Sequence, residues 1–375
     1  MNIKTLVDTG FEADYTLSQI NEFDKIFTSD KILQDYIYRI HEDDNTLDMK
    51  RGEFYPEILR CIISLKRAFA NAYKIAEGQC QPNFGSNGSI DTIMTAMKLR
   101  EINRKIDPEK RGGMLVSTPT YFRNYNSAFA KQIKIIKVPL KMPKWEMDID
   151  LFLEKLNTLY PTVVFLVTPN NPTGIPLTDE HIIKVIENAP DDTLIVMDRT
   201  LVNVENEIRT SELLLRFNNK QLVVLHSFSK YLGLSHLRIG CALYSNIDIA
   251  KEMQPHLPLG LGVEGAIKGT KYLKENGVLR PSDYVINNIR ESKEILLSFC
   301  RQMPQFSMTD FTGNYCLLFM PPDVSSTKIS YYLQNKGIYV MEGVDFPEPV
   351  DGMIRLHTGG KPEFMQRTVD ALKDF

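Results

Sequence analysis

Leu222-Val223-Val224-Leu225-His226-Ser227-Phe228-Ser229-Lys230 is the stretch of this 375-residue chain from which the fold is read outward. Its first half is short, apolar and β-branched, the pattern of a strand with no polar face. Four earlier runs share that pattern, at 114–117, 133–138, 162–167 and 194–197. Stretches 90–106, 148–159 and 178–188 alternate with them and carry apolar residues at three-and-four spacing, which predicts helices. Near-continuous apolar strands alternating with helices imply an α/β domain whose parallel sheet is buried on both faces.

The pattern changes after about Gly260. A helical region through 285–300 is followed by a strand at 315–319, a helix at 328–335, a strand at 338–341 and a closing helix at 362–375. This reads as a smaller α+β domain. A chain of 375 residues exceeds one ordinary hydrophobic core, so two domains are expected. The expected division is an N-terminal segment, 1–52, packing on the small domain; a large domain, 53–270; and the small domain, 271–375.

Composition narrows the function classes. Hydrophobic residues make up 43% and charged residues 24%, with a formal net charge of -3. No bulk attraction to nucleic acid or to an anionic membrane follows from that balance. The five cysteines (Cys61, Cys80, Cys241, Cys300, Cys316) form no C-x-x-C pair, so neither a zinc knuckle nor a disulfide framework is indicated. No metal site is expected. The N-terminus has no apolar signal region, and no apolar run is long enough to cross a bilayer. The expected location is the cytoplasm.

Polar, Gly-rich and Pro-rich segments fall where strands end, the place for ligands on a doubly wound sheet. Lys230 follows an apolar strand between small hydroxyls; burial there would depress its pKa and make the amine a nucleophile for a carbonyl. Ser227, Ser229 and Arg238 could all serve one phosphate. Thr168-Pro169-Asn170-Asn171-Pro172-Thr173-Gly174 follows the 162–167 strand and offers an Asn amide. Asp198 closes the run 194–197, where a carboxylate needs a partner such as a protonated ring nitrogen. Gly85-Ser86-Asn87-Gly88-Ser89-Ile90 leads into a helix whose first N–H groups suit an anion. Tyr121 follows another strand and could stack on a planar ring. Arg355, inside the apolar run 353–357, suits a carboxylate. Each segment has a plainer reading alone: a solvated lysine, a turn, an N-cap, a core tyrosine, an internal salt bridge.

In this order, the segments resemble the class I/II aminotransferases, the aspartate-aminotransferase-like fold type I of pyridoxal-phosphate enzymes. The likeness runs from about Tyr55 to the C-terminus. It is most specific in S-x-S-K-x-x-G-L-x-x-x-R-x-G and N-N-P-T-G, and its layout is closest to the histidinol-phosphate aminotransferase branch. The resemblance implies a large domain with a mostly parallel sheet, a smaller α+β domain and pyridoxal 5′-phosphate as cofactor. It implies that Lys230 forms the Schiff base, Asn171 donates to the ring's phenolic oxygen, Asp198 pairs with the ring nitrogen and Tyr121 stacks on the ring. By the same likeness Gly88, Ser89, Ile90, Ser227, Ser229 and Arg238 hold the phosphate, Arg355 takes the substrate carboxylate, and the enzyme is a homodimer to whose partner site Tyr55 is lent.

Two departures stand out. The family's D-x-A-Y is here Asp198-Arg199-Thr200-Leu201, so Leu201 replaces a tyrosine. Where the closest branch has an arginine for a substrate phosphate, this chain has Tyr339-Val340-Met341-Glu342. The expected function is amino transfer from an α-amino acid to a 2-oxo acid. A decarboxylase, lyase or oxygen-dependent oxidase on the same fold is the alternative, and a non-catalytic regulator is the third reading.

Overall fold

The computed structural model describes residues 55–105, 112–205, 207–257 and 261–375, with side chains from Arg60 onward. The segment 1–52 and the side chain of Tyr55 lie outside the described residues. Seven strands make the larger sheet: β1 (Cys80–Asn83), β2 (Met114–Thr118), β3 (Ile135–Pro139), β4 (Val163–Val167), β5 (Leu194–Asp198), β6 (Leu222–Ser227) and β7 (Gly240–Tyr244). Their order is β1-β7-β6-β5-β4-β2-β3. β3, β2, β4, β5 and β6 run parallel, whereas β7 is antiparallel to both of its neighbours. Every residue of β4, β5, β6 and β7 is buried. Each Val, Leu or Ile so covered contributes about 1.5–3 kcal/mol, which is why the strands carry no polar alternation.

Helices α1 (Tyr55–Tyr73), α2 (Gly85–Asn103), α3 (Phe122–Ala130), α4 (Ile149–Leu159), α5 (Asp179–Asn188), α6 (Thr210–Arg216), α7 (Phe228–Tyr231), α8 (Ile247–Met253) and α9 (Val263–Asn276) accompany this sheet. α4 and α5 start where hydroxyl or carboxylate caps dictate: Asp148 accepts from the Leu151 N–H at 3.1 Å and Thr178 from the His181 N–H at 3.1 Å. One helix boundary departs from the sequence pattern. α2 begins at Gly85 rather than at Ile90. Its first turn, Gly85-Ser86-Asn87-Gly88, is polar although Gly85 and Ser86 are buried, so no apolar stripe announces it.

After α10 (Asp283–Gln302), the chain builds a second, four-stranded antiparallel sheet from β8 (Ser307–Met308), β9 (Tyr315–Phe319), β10 (Met341–Glu342) and β11 (Met353–His357), in the order β10-β11-β9-β8. α11 (Ser326–Asn335) and α12 (Pro362–Lys373) accompany it. The predicted strand 338–341 is shortened and shifted: β10 overlaps it only at Met341, and just Met341 and Glu342 pair with β11. Both sheets lie within one unit, Ile62–Phe375.

A hairpin closed by the Lys141–Glu146 bridge reaches from β3 to the second sheet. It carries Trp145, the chain's only tryptophan. The indole stacks on Phe319, ring centres 5.6 Å apart and planes 16° from parallel, over Leu317 and Met353.

Candidate active site

Topology gathers the polar segments on one edge of the larger sheet. β2, β4, β5 and β6 are parallel, so their C-terminal ends, leading to Tyr121, Asn171, Asp198 and Lys230, lie side by side. β1 runs the same way as β6 and delivers Gly85, while antiparallel β7 starts at that edge just after Arg238.

An anion cradle forms where α2 begins. Gly85 has a φ of +64°, and a Cβ there would sit 3.1 Å from Arg238 Nη2 and 3.7 Å from Ser227 Oγ. Gly240 faces it so closely that a Cβ on that residue would be 2.5 Å from the Gly85 carbonyl carbon. Only glycine meets both demands, the left-handed backbone and the close approach. Arg238 is anchored by Nη1 donating to the Ser235 carbonyl at 3.1 Å. The Ser227 hydroxyl accepts from the Ser229 N–H at 3.2 Å and donates to the Ile239 carbonyl at 3.1 Å. A helix starting at Gly85 leaves the N–H groups of Gly85, Ser86 and Asn87 outside its ladder. The expected trio Gly88-Ser89-Ile90 lies one turn inside α2, with the Ile90 side chain in the hydrophobic core. Ser89 keeps a claim, since its buried hydroxyl has no hydrogen-bond partner.

Beyond the cradle stand the titratable groups. Asp198 is 3% exposed at the end of β5 and accepts from the Thr200 N–H at 2.9 Å. Burial outweighs that bond and pushes its carboxyl up to about 6. Tyr121 donates to Asn87 Oδ1 at 2.9 Å. Its phenol is pushed up to about 12, first by burial, then by Tyr315 and Asp198, against the pull of Lys230 and Arg123. These groups therefore share one electrostatic neighbourhood. Lys230, itself half-buried in the single turn α7, places its Nζ 5.4 Å from the Tyr315 ring centre.

The third group comes from the second sheet. Asn171 is buried, and its Oδ1 accepts from Arg355 Nη1 at 2.9 Å, which leaves the Asn171 amide N–H groups to donate elsewhere. Its loop is fixed on both sides. Asn170 accepts from the Thr120 hydroxyl at 2.7 Å and donates to the Pro119 carbonyl at 3.0 Å. Thr309 donates to the Thr173 carbonyl at 2.7 Å. A Cβ on Gly174, whose φ is +71°, would run into the Tyr315 carbonyl. Arg355 lies 4.1 Å from the Tyr315 ring centre.

Sequence reasoning missed Tyr315, Asn170, Asn87 and Asn314; the last accepts from the Val202 N–H at 2.7 Å and so pins the segment after Asp198. Tyr315 and Asn314 carry no local pattern that marks them out, whereas Asn87 and Asn170 lie inside the segments 85–90 and 168–174 that the sequence singles out, with no role assigned to them there. Leu201 is buried and offers no hydroxyl. Beneath the site, Arg199 is 1% exposed; its Nη1 donates to the Ile208 carbonyl at 2.6 Å and lies 3.9 Å from Glu207 Oε1. His226 stacks on Tyr73 at 5.2 Å and shares a 2.9 Å hydrogen bond with Thr210; burial, then Arg199, pushes its imidazole down to about 3. Among the described residues, no helix is long and apolar enough to cross a membrane and no cluster suits a metal ion.

A phosphorylated pyridine aldehyde fits these residues: an amine, a buried carboxylate whose raised pKa a ring cation would relieve, and a cradle that a Cβ would fill. Comparison with known proteins agrees. The model of the aminotransferase class I and II family matches residues 34–372. The histidinol-phosphate aminotransferase of Macrococcus caseolyticus is 28% identical over 258 residues, 66% of this chain and 67% of its own length, so the match spans about two thirds of that relative. Among solved structures, a histidinol-phosphate aminotransferase homologue from Erwinia carotovora atroseptica superposes with a TM-score of 0.70 at 20% identity, covering 86% of this chain and 87% of that one. A PLP-dependent aminotransferase from Streptococcus suis gives 0.70 at 16% identity, covering 96% and 90%. The chain belongs to the class I and II aminotransferases, and its cofactor is pyridoxal 5′-phosphate.

Proposed function

We propose that this chain transfers the amino group of an unphosphorylated α-amino acid to a 2-oxo acid, with Lys230 as the cofactor-bearing amine. The observation that carries this reading is the convergence of Lys230, Asp198, Asn171 and Arg355 around Tyr121 and Tyr315. Pyridoxal phosphate supplies the electron sink. Asp198 would hold positive charge at its ring nitrogen, Tyr121 its face, and Asn171 Nδ2 its phenolic oxygen. Gly85, Ser86, Ser89, Ser227, Ser229 and Arg238 would hold the phosphate. Arg355 binds the substrate carboxylate through its guanidinium fork. The incoming substrate amine would take Lys230's place on the cofactor, and the released Lys230 Nζ would then take the Cα proton as general base and return it as general acid.

The relatives' names specify a phosphorylated substrate; this chain's second sheet favours another. Met341 is the cross-strand partner of Arg355, so its side chain stands on the same face beside the guanidinium. An apolar thioether there gives a phosphate no partner. We read 53–270 and 271–375 as the large and small domains, and the molecule as a cytoplasmic homodimer. Support for the dimer is the family likeness alone. Support for the compartment is that Cys80, Cys241, Cys300 and Cys316 are free thiols.

The test is a purified Lys230→Ala protein, which should lose the visible absorption band of the bound cofactor together with amino transfer. Native protein should make keto acid from amino acids only when a 2-oxo acid is supplied, and prefer them over histidinol phosphate. Survival of both band and turnover in Lys230→Ala would remove the assignment.

A further inference from the structure

We propose that Tyr315 is a positioning residue of the amino-acid site, a π platform that fixes the Arg355 guanidinium relative to the Lys230 amine. This rests on the reading of Arg355 as the carboxylate-binding residue.

Tyr315 opens β9 and is 4% exposed. It pairs with His357 across the ladder, and Leu317 pairs with Arg355, so Tyr315, Leu317, Arg355 and His357 occupy one face of the second sheet. Arg355 is the lone guanidinium of that set. Its Cζ lies 4.1 Å from the Tyr315 ring centre, and Lys230 Nζ lies 5.4 Å from the same centre. Both are within the range at which a ring quadrupole attracts a cation. One ring thus lies within cation–π range of both the proposed carboxylate fork and the proposed base, although they come from separate sheets. His357 meets the ring edge-on at 5.5 Å and 61°. The Gly174 backbone abuts the Tyr315 carbonyl, so the platform's backbone is fixed to the loop that carries Asn171.

An arginine side chain has many rotamers, and each must be frozen before its fork can meet a carboxylate in one geometry. Here two contacts freeze it: the 2.9 Å hydrogen bond to Asn171 and the Tyr315 face. Removing the face while keeping the volume should free the guanidinium to leave the productive pose. Removing only the hydroxyl should leave the platform intact.

The experiment uses the pyridoxal-phosphate-loaded protein and two unreactive monocarboxylates, 3-phenylpropanoate and 4-methylpentanoate, which present a carboxylate without an amine. Calorimetric titration reads binding with no turnover. Tyr315→Met should weaken binding of the acids by roughly 5- to 30-fold, the range for a desolvated cation–π contact, and Tyr315→Phe should bind within about twofold of native. If Tyr315→Met does not fold, judged by urea midpoint and the cofactor band, Tyr315→Leu carries the same expectation. Undiminished binding by the aliphatic variant overturns the platform, as does equal weakening by Tyr315→Phe. Arg355→Met separates the two readings. Native-like binding by Arg355→Met, or no binding of either acid by native protein, overturns the carboxylate assignment itself; loss in Arg355→Met with retention in Tyr315→Met overturns only the platform.

Discussion

Replacing Asp198 by asparagine should make the cofactor-free protein more stable and the enzyme nearly inactive. The carboxyl is 3% exposed, and burial raises it from the ordinary 3.8 to about 6. The folded chain therefore binds this proton more tightly than the unfolded chain does. Stability falls as pH rises from about 3.8 to about 6, and the loss is complete above that window. At roughly 1.4 kcal/mol per pH unit the full loss is about 3 kcal/mol. The amide introduced by Asp198→Asn would keep the acceptor for the Thr200 N–H and carry no charge. Urea unfolding of both proteins without cofactor should then show Asp198→Asn ahead by about 3 kcal/mol near pH 7.5 and by about 1 kcal/mol near pH 4.5. Comparing the two proteins at each pH cancels every other titrating group. An advantage that is absent, or equal at both pH values, would refute the reasoning. Opposite signs in stability and activity at one residue are what a functional carboxylate held without its cation should give.

Gly85→Ala should weaken pyridoxal phosphate binding at least about tenfold, because its Cβ enters the cradle 3.1 Å from Arg238 Nη2 and its φ of +64° disfavours any side chain; absorption titration checks it. Glu207→Gln should lose about 1–2 kcal/mol in urea unfolding, because it leaves the buried Arg199 guanidinium 3.9 Å away without a carboxylate. His226, held down to about 3 by burial, should show no ring titration by NMR between pH 8 and 5. The sign for stability follows: the unfolded imidazole takes a proton below about 6.5 and the folded one does not, so stability declines as pH falls through that value toward 3.

The parallel strands were legible because burial on both faces leaves an unmistakable apolar run; 163–167 and 194–198 match the expected segments within a residue. β1 was not, since Cys80-Gln81-Pro82-Asn83 owes its pairing to β7 rather than to its own propensity. The start of α2 was misread for a related reason: glycines and Asn87 look like a turn until Gly240 and Arg238 are brought against them from about 150 residues away. Lys230, Asp198, Asn171 and Arg355 could be picked out as polar groups at the ends of, or inside, apolar runs. Tyr315 could not. An aromatic residue at the head of a core strand carries no local sign of what faces it, and its meaning depends on a β9–β11 register, Tyr315 opposite His357 and Leu317 opposite Arg355, that no local pattern encodes.

A single indole gives the chain a built-in optical gauge. Trp145 belongs to a hairpin of the larger sheet yet lies flat on Phe319 of the smaller one, so all tryptophan emission reports from the seam where the two sheets meet. Any sliding of one against the other must change that stack. The protein therefore needs no added dye for its breathing to be timed in a stopped-flow mixer.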